Sequence, residues 1–242
     1  MRIIIARHGE PDYENDTLTK KGCVEAELLS QRLSKMNFEA IYCSPLGRAK
    51  KTASFTLQKL GREAEILPWL QEFRGKCEKP HGSENIEYCW DWLPKDFAKQ
   101  PLFYDKDRWL DSPELQGTNI RTEWDMITKG AVELLERHGY RRNGLLYDAI
   151  SPNEHTIALF CHLGLEALLV SYLTGLPPFT MLHAFAPAPS SVTTLVTEER
   201  TKGTASFRIL SYGDTGHLFH GNEEPSFAAR FCECYDNLDQ RH

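Results

Sequence analysis

The 242-residue sequence has no long hydrophobic run. Nothing in it approaches the roughly 20 consecutive apolar residues of a membrane-spanning helix, so no membrane partner is expected. Strand-like residues begin at Ile3 and leave no room for a leader peptide, which makes the cytoplasm the expected location. A basic excess is also missing. With a formal charge of -6, the chain lacks the positive balance that binders of a polyanion carry, and no nucleic-acid partner is expected. A small anion in a locally basic pocket stays compatible with that charge. The seven cysteines do not pair off: Cys43 and Cys161 sit in apolar, strand-like runs where a reduced thiol behaves as a small hydrophobe. Cys232 and Cys234 are followed by no second Cys or His pair at ligand spacing, so no metal site is expected. Repeats, low-complexity tracts and long flexible linkers are absent. The apolar fraction of 41% suffices for one sizeable core.

What is present begins with Ile3-Ile4-Ile5-Ala6, which suits a parallel strand buried on both faces and delivers Arg7-His8-Gly9-Glu10 at its C-terminal end. In open α/β sheets that end faces the ligand crevice. Pro11 to Asp16 reads as a loop, and Thr19 as the N-cap of a helix whose buried stripe is Ala26, Leu29 and Leu33. Phe38 to Cys43 reads as a second strand. Ser44-Pro45-Leu46-Gly47-Arg48 then turns into a second helix with Ala49, Ala53, Thr56 and Leu60 on one face, and Glu65 to Pro68 is a short third strand with Glu72 close behind. This β-α-β-α-β order predicts a parallel sheet with right-handed crossovers.

From about 73 to 146 the character changes. Four of the five tryptophans (Trp90, Trp92, Trp109 and Trp124) lie here with prolines and charges, ahead of a helical run from Asn119 to His138. We read the stretch as a cap inserted over the sheet's C-terminal edge within a single domain. Most of its aromatics should form a satellite core, with one or two lining a ligand pocket. Asn143-Gly144 marks a turn. Thr156 to Cys161 is a second strong strand, ending in His162-Leu163-Gly164 and an apolar helix stopped by Gly175 and Pro177. Ser191 to Val196 and Phe207 to Tyr212 read as an antiparallel hairpin closing the sheet edge, and Phe227 to Tyr235 as a last helix.

Arg7 and His8, Arg48, Glu72 and His162 thus arrive at the same end of the sheet. Two guanidiniums, two imidazoles and a carboxyl in one crevice suit a phosphoryl group, because Arg presents a planar fork of donors that matches phosphate oxygens. One imidazole can attack phosphorus while the other stabilises charge on its oxygens. Helix N-termini after the His8 and Arg48 turns would add backbone N–H groups.

The ordered set also resembles the histidine phosphatase superfamily, the phosphoglycerate mutase-like proteins. The resemblance rests on Arg7-His8-Gly9-Glu10, Leu18-Thr19 with Gly22 and Ala26, Ser44-Pro45 with Arg48-Ala49 and Thr52-Ala53, Glu72 after Pro68-Trp69-Leu70, and His162 with Gly164. It implies an α/β fold, a three-layer sandwich around a mostly parallel sheet. By the same resemblance His8 is the nucleophile that forms a phosphohistidine, and Arg7, Arg48 and His162 hold the phosphate. Glu72 protonates the leaving oxygen and then activates water. The glycine expected after Glu72 comes only at Gly75, so Glu78 is the alternative carboxyl. No cofactor or metal is implied. Asp214 to Leu218 resembles a family segment in which we take His217 as structural, and His81 reads as a solvated loop histidine that could reach substrate.

The expectation is a metal-independent phosphomonoesterase acting on a small phosphorylated metabolite. The alternatives are a cofactor-dependent phosphoglycerate mutase and a non-catalytic phospholigand-binding protein. Mutases resemble Arg-His-Gly-Glu-Ser-x-Trp-Asn here, whereas this chain continues Pro11-Asp12-Tyr13-Glu14. Carboxylates at Asp12, Glu14 and Asp16 would repel a bis-phosphorylated cofactor. Oligomeric state, with a homodimer as one option, is left open.

Overall fold

The computed structural model describes residues 1–78, 87–227 and 232–240. Its organising strand is β1 (Arg2–Arg7), whose side chains alternate between two cores: Ile3 and Ile5 enter one, Ile4 and Ala6 the other. Seven more strands join it: β2 (Ala40–Cys43), β3 (Glu65–Ile66), β4 (Tyr140–Asn143), β5 (Leu146–Ala149), β6 (Thr156–Cys161), β7 (Val192–Thr201) and β8 (Thr204–Asp214). The sheet order is β3-β2-β6-β1-β7-β8-β5-β4. The β3, β2, β6 and β1 strands run parallel, and from β1 to β4 each successive pair is antiparallel.

Helices cover both faces. On one side α1 (Lys20–Leu33) and α2 (Gly47–Leu60) press Leu29, Leu33, Ala49 and Ala53 onto Ile4, Ala6, Ala158 and Phe160. On the other, α3 (Ile120–Arg137), α4 (Leu163–Thr174) and α5 (Pro178–Ala184) bury Ile127, Leu134, Leu165, Leu168 and Met181 against Ile3, Ile5, Ile157 and Leu159. The result is the expected three-layer α/β sandwich. A short α6 (Gly216–His220) follows β8. Thr19 caps α1 as its sequence position suggests, its hydroxyl accepting from the Gly22 N–H at 3.0 Å.

Three local readings need correction. The β7–β8 hairpin does not close the sheet edge: β8 pairs onward with β5, and the hairpin β5–β4 forms that edge. Those two strands bury little beyond Tyr140 and Tyr147, so they carry almost no apolar alternation to read. The α5 helix was not anticipated; it starts on Pro178 at its first turn, right after the Gly175 and Pro177 signals that mark the end of α4. Part of the expected helix over Phe227 to Tyr235 lies outside the described residues, and residues 232–237 are bends and turns.

Of the stretch 73–146, the described residues up to Leu115 form short helical turns and one two-stranded pairing, Lys76–Cys77 with Glu87–Tyr88. Within it Trp92, Phe103 and Trp109 gather around Phe179 of α5; they do not form the expected satellite core but join the one that holds Ile3 and Ile5, because Phe179 links them to it. No described helix is long and apolar enough to cross a membrane.

The loop after β1 lies almost on the backbone of α1. A side-chain carbon added at Gly22 would meet the Glu10 carbonyl oxygen at 2.2 Å, and one at Gly9 would meet the Gly22 oxygen at 2.6 Å. Only glycine allows this approach. Gly22→Ala is therefore expected to cost about 1–3 kcal/mol, lowering the melting temperature in a thermal scan by several degrees. Because it displaces the segment that carries His8, activity should fall with it.

Candidate active site

The residues singled out in the sequence meet at the C-terminal ends of β1, β2 and β6 and beside the N-terminus of α4. His8, one residue past β1, is 1% exposed. Its backbone N–H donates to the Cys161 carbonyl at 3.0 Å, and its carbonyl accepts from Ser190, so the loop is pinned to both neighbouring strands. Its Nδ1 lies 2.7 Å from the Gly9 carbonyl oxygen. A carbonyl only accepts, so this contact places the proton of the neutral ring on Nδ1 and leaves the Nε2 lone pair free. Burial, reinforced by Arg7 and then Arg48 and opposed by the Gly9 contact, holds His8 well below the usual imidazole range.

His162 ends β6 and opens α4. Its ring centroid lies 5.1 Å from that of His8, and its Nε2 is 2.7 Å from the Ser44 hydroxyl. Ser44 in turn accepts from the Leu46 N–H, which fixes the hydroxyl. Among the described residues the buried His162 Nδ1 has no hydrogen-bond partner, and burial, then His8 and the two arginines, hold this ring well below the usual imidazole range as well.

Arg7 is 2% exposed and donates through Nη1 to the Pro187 carbonyl at 2.5 Å, while its Nε has no partner. Arg48, in the first turn of α2, is held differently. Its Nη1 donates to Asp16 Oδ1 at 2.8 Å, and its guanidinium lies 5.4 Å from the Tyr13 ring centroid. Leu46, at the N-cap of α2, has no side-chain acceptor to offer. Asp16 supplies one instead, its Oδ2 accepting from the Gly47 N–H at 2.6 Å. The helix N-terminus expected to offer a free N–H to an anion is thus already capped by a carboxylate. Burial raises the Asp16 pKa, but the Gly47 and Arg48 hydrogen bonds outweigh it and leave the group below its usual value.

Glu72 reaches the same place from the turn after β3. Its Oε1 accepts three backbone N–H groups, from Phe73 at 2.9 Å, Gly164 at 3.0 Å and Leu165 at 3.1 Å. With Oε1 accepting throughout, a proton on this carboxyl belongs on Oε2. Burial raises its pKa, partly offset by Arg7 and by the Leu165 and Phe73 N–H groups. Trp90 packs over Gly164 beside Glu72. Its ring edge would lie 2.7 Å from a side-chain carbon at Gly164, which is one reason that position is glycine.

Other candidates lie elsewhere. Glu78 is exposed and lines a separate 760 Å³ cavity with Pro113 and Asn119. His81 lies outside the described residues. His217 contacts the Ser190 hydroxyl at 3.2 Å and so touches the site only through the residue that holds the His8 carbonyl. Glu10 is engaged by the Thr19 hydroxyl at 2.7 Å. Asp12 turns its carboxylate to Asn15, which leaves Asp16 as the acidic-loop residue in direct contact with a site arginine. Sequence reasoning did not anticipate that contact, the Ser44 hydrogen bond to His162, or a further buried carboxyl, Glu166. Glu166 did carry a signal: it is the single charge in the apolar run Leu163–Thr174.

Two cationic forks, two imidazoles with lowered pKa values and a carboxyl with a raised one are groups that can bind an anion and give it a proton. Residues 3–209 match the sequence profile of the histidine phosphatase superfamily (branch 1), and the chain belongs to that superfamily; the phosphatases it is similar to support a phosphomonoester hydrolase. It is 25% identical over 193 residues to the adenosylcobalamin/alpha-ribazole phosphatase of Escherichia coli (strain K12), covering 76% of this chain and 84% of that one. It is also 26% identical over 185 residues to a putative phosphoserine phosphatase 2 of Hydrogenobacter thermophilus, covering 72% and 79%. Among solved structures, a phosphoserine phosphatase from Entamoeba histolytica superposes with a TM-score of 0.57 at 20% identity, covering 90% of this chain and 98% of that one.

The Asp16 contact predicts a measurable competition. In Asp16→Asn, Arg48 keeps its position but no longer shares its charge with a carboxylate, so inorganic phosphate should inhibit about 3- to 10-fold more tightly. An unchanged inhibition constant would show that Asp16 does not oppose anion binding.

Proposed function

We propose that this protein is a metal-independent phosphomonoesterase that hydrolyses a small phosphorylated metabolite through a phosphohistidine on His8. The observation that carries the reading is the 2.7 Å contact between the His8 Nδ1 and the Gly9 carbonyl oxygen: a carbonyl only accepts, so Nε2 is left as an unprotonated nucleophile in a buried site beside two guanidiniums.

In the first step Nε2 attacks phosphorus and the ester P–O bond breaks. Arg7, Arg48 and His162 hold the non-bridging oxygens, and Glu72 gives its Oε2 proton to the departing oxygen, so the alcohol leaves neutral. In the second step water attacks the phosphohistidine. Glu72, now a carboxylate, takes the proton of that water, the P–N bond breaks, and phosphate departs with both residues restored. The arginines supply the charge neutralisation that a metal would otherwise provide. Burial shifts both groups toward the protonation states the first step needs, lowering the pKa of His8 and raising that of Glu72.

The rival mutase reading would need a bis-phosphorylated cofactor at the same arginines. Asp16 on Arg48 and on the α2 N-terminus counts against it, because each added phosphate charge meets a fixed carboxylate there. The similar proteins are named as phosphatases of alpha-ribazole, phosphoserine and glucosyl-3-phosphoglycerate, which sets the first substrates to screen.

Phosphate release should survive excess chelator and vanish, together with acid-labile covalent labelling, in His8→Ala. Glu72→Gln should slow alkyl phosphates by about 10²- to 10⁴-fold and p-nitrophenyl phosphate far less, since that leaving group needs no proton. Full activity of His8→Ala would sink the scheme. Isomerisation of 3-phosphoglycerate exceeding phosphate release would favour the mutase. The pH dependence of kcat/KM should be bell-shaped, losing activity at low pH as His8 protonates and at high pH as Glu72 ionises, with its acidic limb below the ordinary imidazole range.

A further inference from the structure

One buried charge at the site has no part in those steps. Glu166 lies in the first turn of α4, its N–H bonded to the His162 carbonyl at 2.9 Å, and its side chain is 0% exposed. Neither carboxyl oxygen completes a hydrogen bond among the described residues.

The groups facing it are Arg7 at the end of β1, Thr193 on β7, Tyr212 on β8, Glu72 before α4 in the chain, and Cys161 at the end of β6. The sheet geometry explains why they gather. Ile3, Ile5 and Arg7 alternate onto the face that α4 covers, and Thr193 stands in register with Ile5 on the neighbouring strand. Two of these groups are also unsatisfied: among the described residues the Arg7 Nε and the Tyr212 hydroxyl are buried without partners. Such a set in an otherwise apolar core is costly unless it works.

Resting on the reading that Arg7 holds the phosphoryl group, we propose that Glu166 is a positioning residue acting through Arg7, taking a proton from solvent when a dianion binds the guanidinium and returning it on release. The reason is charge balance. In the empty site Arg7 and the Thr193 hydroxyl favour the carboxylate. A dianion on the outer side of Arg7 adds negative charge that the buried carboxyl feels with little screening, and protonation removes the conflict. Arg7 then offers its whole charge to the phosphoryl oxygens. Burial, against Thr193 and Arg7, has pushed the Glu166 pKa up to about 7, where such an exchange is accessible.

Sulfate is the probe, because it stays a dianion throughout and takes up no proton itself. Its binding is followed by calorimetry between pH 6 and 9 in buffers of different ionisation enthalpy, and its site by competitive inhibition of p-nitrophenyl phosphate hydrolysis. Wild type should take up a proton on binding, and its affinity should fall as pH rises through the Glu166 transition, by up to tenfold per pH unit. Glu166→Gln, which keeps the shape of the protonated form, should lose that uptake and flatten the affinity profile. Thr193→Val removes a group that favours the carboxylate, so it should move the transition to higher pH and provides a test should the Gln variant fail to fold. Competitive inhibition with the same uptake and pH profile in wild type and variants would overturn the coupling alone. No competitive inhibition in wild type would overturn the placing of the anion on Arg7, and the coupling with it.

Discussion

The first turn of α4 is the constraint on which the site depends. Its N-cap is His162, its Gly164 and Leu165 N–H groups seat Glu72, and its next residue is Glu166. A helix N-terminus can hold a carboxylate through its unpaired N–H groups and its dipole, and here that capacity is used on a side chain. The consequence is geometric. Glu72 sits on an irregular turn after the two-residue edge strand β3, yet three N–H groups fix one of its oxygens and leave the other to carry a proton. Gly164 is part of the same arrangement, since any side chain there would collide with Trp90 and approach Glu72.

The frame of the fold was legible in the sequence where burial is two-sided. The β1 and β6 strands are continuous apolar runs buried on both faces, and each delivers its histidine where the run ends. Thr19 and the stripe Ala26, Leu29 and Leu33 could likewise be read, because capping and helical spacing are local. The β4–β5 edge could not: its pairing with β8 is a long-range choice, and its residues, with Arg141, Arg142 and Asn143 on an outer strand, look like a solvated turn. At the site, Arg7, His8, Arg48 and His162 were accessible because each lies at the end of a strand or the start of a helix, and Glu72 because it follows a short strand closely. Their partners were not. Ser44 on His162 and Asp16 on Arg48 join positions 118 and 32 residues apart, and no spacing rule connects them.

The two arginines are equal in charge and unequal in use. Arg48 begins a helix, is partly exposed, and is matched by an Asp16 carboxylate that its hydrogen bonds keep ionised. Arg7 ends a strand, is buried, and has behind it a carboxyl that burial brings close to neutrality. One arginine is therefore permanently tempered and the other adjustably so. A site with both free would bind phosphate more tightly, but product phosphate carries the same dianion as the substrate, so that gain would also slow release.

Solvent access explains which carboxylate takes which part. Asp16 is close to half exposed, so water and two hydrogen bonds stabilise its charge in every state of the site, and its repulsion of a second phosphate is constant. Glu166 is fully buried and completes no hydrogen bond among the described residues, so the energy of its charge depends on what Arg7 is doing. A fixed charge can only set how many anionic groups the pocket tolerates. A buried one whose state follows the ligand can favour capture and then release, and that difference follows from exposure alone, before any difference in sequence position is considered.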